Sequence, residues 1–74
     1  MTDKEFTDKS ITLSFEFDRY LVSHPELAEQ VLPGASIFFE VEDDPEFTTR
    51  ELVLAEELKR RDEPVVIVRV ERLL

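Results

Sequence analysis

From Gly34 onward the apolar positions change period twice. In ASIFFEVE, residues 35 to 42, Ile37, Phe39 and Val41 alternate with Ser36, Phe38, Glu40 and Glu42, the two-residue period of a strand. In DPEFTTRELVLAEELKRRD, residues 44 to 62, Phe47, Leu54, Ala55 and Leu58 fall on one arc of a helical wheel, with most charges elsewhere. PVVIVRVERLL, residues 64 to 74, opens as a continuous apolar run and continues in alternation, as a strand covered on both sides at its start does. Strand, helix and strand over so short a stretch predict a βαβ unit: two parallel strands joined by a right-handed crossover. The helix-covered face then holds Ile37, Phe39, Val41, Val66, Val68 and Val70. The other face mixes Phe38, Val65 and Ile67 with Glu40, Glu42, Arg69 and Glu71.

The N-terminal half carries two conflicting periods. ITLSFEFD, residues 11 to 18, alternates as a strand would. Residues 8 to 24 contain neither glycine nor proline, and no turn chemistry separates Phe17 from DRYLVSH. One helix from about Thr7 or Ser10 to His24 is the simpler reading. On it, Ile11, Phe15 and Val22 form one stripe, while Leu13, Phe17, Tyr20 and Leu21 form another on the far side, so the helix needs cover on both. Pro25 stops this helix, and PELAEQVL supplies a short second one before PGA turns the chain into the first strand. The expected architecture is a small α/β, α+β-like unit: helix, short helix, strand, helix, strand. Residues 1–6 are expected as a polar tail and residues 7–74 as a single domain.

Length sharpens this picture. A chain of 74 residues buries only about 60% of the surface it exposes when unfolded, so its core is marginal. With no cysteine and one histidine, neither disulfides nor a thiolate metal site can staple it. A second copy is the simplest completion, because a two-stranded sheet has open edges that invite extension across a dimer axis. The residues expected at an interface are Leu13, Phe17, Tyr20, Leu21, Phe38, Leu52, Val65 and Ile67.

Charge narrows the partners. The net charge of −9, from 18 acids against 9 bases, opposes binding to a nucleic-acid backbone, which requires a cationic face. Lys59, Arg60 and Arg61 read instead as complements to a helix C-terminus. The same acidity steers the chain toward basic proteins. No stretch approaches a membrane span, and MTDKEFTDKS has no signal-peptide core, so a cytoplasmic location is expected.

The densest chemistry lies in EVEDDPEFTTRE, residues 40 to 51, at the strand-to-helix junction where open parallel sheets usually bind ligands. Asp43, Asp44 and Glu46 are candidate ligands for Mg²⁺ in a small hydrolase or phosphoryl-handling protein. The competing reading explains more residues: Asp44 is the N-cap, Pro45 the first helical residue, and Glu46 a complement to the helix dipole. Catalytic metal sites gather acids from several strand ends, and the second strand here ends in Arg72, Leu73 and Leu74. No catalytic residue, metal or cofactor is therefore assigned. Glu51, inside the apolar arc, is expected to pack its stem and lift its carboxylate into water. His24, next to a proline at a helix end, has no nucleophile to serve.

The segments FEFDRYLVSHPEL, PGASIFFEVEDDPEF and PVVIVRV together resemble a family of short prokaryotic proteins known only as a domain of unknown function. The likeness runs from Phe6 to Val70. It implies a helix over residues 11 to 24 and transfers no activity, cofactor or site. The functional expectation is a non-enzymatic interaction or assembly module, a homodimer that also engages a basic protein in the manner of an antitoxin; the alternative is the Mg²⁺-dependent hydrolase.

Overall fold

A computed structural model describes residues 1–71. The elements are α1 (Asp3–Ser23), α2 (Pro25–Ala28), β1 (Ser36–Val41), α3 (Pro45–Arg60) and β2 (Val65–Val70), in the expected order. They fall into two compact units, Met1–Leu32 and Pro33–Leu74.

The first unit is the α1–α2 hairpin. α1 starts at Asp3, earlier than either expected start, so residues 3–6 are helical rather than a tail. The cause is a capping box. Thr2 Oγ1 accepts the Glu5 N–H at 3.1 Å, and the Glu5 carboxylate reaches back toward the Thr2 N–H. Asp3 and Glu5 add negative charge to the first turn, where the dipole favours it. The alternation over residues 11 to 17 is thus overridden, and that stretch is helix throughout. α1 ends at His24, whose ring stacks on Tyr20 with centroids 3.9 Å apart. Its Nδ1 donates to the Tyr20 carbonyl at 2.9 Å, so the imidazole is occupied in closing the helix. α2 is a single turn, shorter than the PELAEQVL segment suggested.

The second unit is the β1–α3–β2 crossover. The strands are parallel, with Ser36 opposite Val65, Phe38 opposite Ile67, Glu40 opposite Arg69 and Val41 opposite Val70. This register puts Ile37, Phe39 and Val41 on one face with Val66, Val68 and Val70, as the alternation requires. α3 packs chiefly on β1 and more lightly on β2. Phe39, Val41, Phe47 and Ala55 form the buried core of this unit. Gly34, at φ +77°, takes the left-handed conformation that a side chain resists, and turns the chain into β1.

The helix arc is rotated from the sequence reading. Leu54 is 45% exposed, while Glu51 is only 2% exposed. The buried line runs Phe47, Glu51, Ala55, so the apolar residue at 54 lies beyond its margin. The Glu51 carboxylate does not reach water as expected, yet no buried side-chain polar atom among the described residues lacks a hydrogen-bond partner. Burial of a carboxylate is tolerable on that condition.

Candidate interaction surface

The acidic junction resolves into a helix start. The Asp44 side chain accepts the Phe47 N–H at 3.2 Å, the N-cap bond that satisfies one of the helix's orphan donors. Pro45 occupies the first turn and Glu46 sits beside it. Asp43 and Glu46 are exposed. Among the described residues, no group of three or more His, Asp or Glu side chains is placed to hold a metal ion.

A residue that sequence reasoning passed over holds the junction together. The Thr48 hydroxyl accepts the Val41 N–H at 2.8 Å and donates to the Val41 carbonyl at 2.9 Å. One side chain from the first turns of α3 thus satisfies both backbone groups at the end of β1. The Asp44 N–H adds a further bond to the same carbonyl. The only sequence signal is a β-branched hydroxyl residue early in a helix, which is too common to single out.

The expected interface residues are divided by the fold. On α1, Leu13 is buried, Phe17 and Leu21 are half-buried, and Tyr20 is exposed. Of these four, Leu13 alone is buried completely enough to be unavailable as a contact. The opposite stripe is the open one: Ile11 is exposed, Phe15 is 66% exposed and Val22 is 85% exposed. It runs beside a shallow groove lined by Phe6, Ile11, Phe15 and Asp18. Arg19 pairs with Glu16 at 3.2 Å.

On the sheet, Phe38 and Val65 are half-buried and Ile67 is 37% exposed. Leu52 on α3 is half-buried. Phe38, Val65 and Ile67 share the face away from the core side chains, with Glu40 and Arg69 paired across it at 3.9 Å. Arg72, Leu73 and Leu74, expected at the end of the second strand, lie outside the described residues. Lys59 and Arg60 occupy the last turn of α3, with Lys59 near Glu56 and Arg60 near Glu57, so they serve the helix end and its i, i+3 pairs.

No helix among the described residues is long and apolar enough to cross a membrane. No curated protein and no solved structure matches the chain. A family model matches residues 5–74, nearly all of the sequence that the fold and its open surfaces are built from, and the chain therefore belongs to a family of unknown function, DUF5647.

Proposed function

We propose that this chain is a non-enzymatic assembly module that works as a homodimer and, in that form, engages a basic protein partner. The observation that carries the reading is the surplus of large apolar side chains left in solvent, above all Phe15 and Val22 on α1 and Ile67 on β2. Singly exposed apolar residues need no explanation, but a row of them along one helix face marks a contact surface. A small chain whose sheet has only two strands gains most by covering such surface with a second copy. The net charge of −9 then favours encounter with cationic proteins over nucleic acid.

The acidic junction contributes nothing further to this reading. Asp44 is engaged as a cap, and among the described residues no group of three or more His, Asp or Glu side chains is placed to hold a metal ion. Sedimentation equilibrium at tens of micromolar, roughly the range in which modest interfaces form, tests the proposal. A dimer is expected; a single monomeric species throughout would overturn it.

A further inference from the structure

The two edges of the sheet are not equivalent. Ser36 N–H bonds to the Pro64 carbonyl and Glu42 N–H to the Val70 carbonyl. With the parallel register, these bonds set the alternation: Ser36, Phe38 and Glu40 face β2, while Ile37, Phe39 and Val41 turn their backbone groups outward. The outward edge of β1 is closed at Val41 by the Thr48 hydroxyl, and Phe39 and Val41 are buried. On β2, the even residues face β1, so Val65, Ile67 and Arg69 direct their N–H and C=O groups away from the sheet. None of these backbone groups bonds to another described residue. No residue of β2 is fully buried, and within this unit α3 leans toward β1.

Resting on the homodimer proposed above, the geometry points to the outer edge of β2 as the contact, paired antiparallel with β2 of a second copy about a two-fold axis at Val66. A two-fold axis forces strands of the same kind to run antiparallel. The sequence selects the register. With Val66 at the centre, Val65 and Ile67 stand opposite Ile67 and Val65 of the second copy and exchange backbone bonds as narrow pairs. Glu63 then opposes Arg69 of the second copy at both ends, two opposite-charge pairs of the stabilising kind. Sliding the pairing one step toward the C-terminus would instead set Glu63 against Glu71. Arg69 and Glu63 are exposed and available, and Arg69 meets Glu40 only at a loose 3.9 Å. The result is a four-stranded sheet, β1–β2–β2–β1, with Val66, Val68 and Val70 of both copies continuous on the α3 side.

Backbone amide exchange of the full chain, followed by NMR from low to high protein concentration, tests this directly. The Val66, Val68 and Val70 amides, bonded to β1 within the chain, are expected to be protected at every concentration. The Ile67 and Arg69 amides become protected only as the dimer fills. Arg69→Glu should weaken dimerisation about tenfold, since it turns two attractive cross-strand pairs into repulsive ones, and adding Glu63→Arg should restore it. A dimer whose Ile67 and Arg69 amides exchange freely would overturn the edge assignment while leaving the homodimer standing. A dimer with both amides protected but no rescue by the double variant would overturn the register. A monomer at all concentrations would overturn both this and the reading it rests on.

Discussion

Thr48 is the residue on which the β1–α3 junction turns, because one hydroxyl serves as acceptor and donor to the same strand residue. Thr48→Val keeps the shape and removes both bonds, leaving the part-buried Val41 N–H without its acceptor. The expected loss is about 1–3 kcal/mol, the usual cost of an unsatisfied buried polar group, measured by urea unfolding. A variant as stable as the parent would show that water replaces the hydroxyl freely. Phe47 and Phe15 make the complementary comparison. Phe47 is fully buried, so Phe47→Ala should cost about 3–5 kcal/mol, whereas Phe15→Ser on the exposed stripe should leave the fold of the dilute, undimerised chain within about 0.5 kcal/mol. Asp44→Ala should cost about 1 kcal/mol through loss of the N-cap. Millimolar Mg²⁺, watched by NMR, should not shift Asp43 and Asp44 selectively; a selective shift would favour the metal reading over the cap.

At the scale of elements, α1 depends on its start. Thr2→Ala removes the hydroxyl half of the capping box, and the first turn should fray, with about 1 kcal/mol lost and exchange of the Glu5 and Phe6 amides accelerated. Unchanged exchange there would mean that the box contributes little. This start is legible in the sequence: TDKE is the box pattern, with the glutamate three residues past the threonine. The β1–α3–β2 unit was legible because strand alternation, Gly34 and the Asp44–Pro45 pair agree on its boundaries. The rotation of the α3 arc was not. Helical periodicity ranks Leu54 above Glu51 by polarity alone, whereas the backbone places position 51 between Phe47 and Ala55 on the face that meets the sheet. Two apolar stripes on α1 were visible in the sequence, but which one the chain covers depends on tertiary packing, which no local period encodes.

At the scale of the whole molecule, the buried side chains are few and belong mainly to the β1–α3–β2 unit, while α1 contributes Leu13 alone to the buried core among the described residues. Such a chain stands close to the lower limit at which one hydrophobic core sustains a fold. The exposed ion pairs of the helices, such as Lys4–Asp8 and Arg61–Glu57, add little, because solvent screens them. Stability should therefore be linked to association: whatever binds the folded chain and not the unfolded one raises its stability by mass action. The urea midpoint of unfolding, measured across a hundredfold range of protein concentration, reads this linkage directly. A midpoint that climbs steadily with concentration is the result the account predicts. A midpoint that stays fixed over the whole range would show that the chain holds itself together alone, and would contradict it.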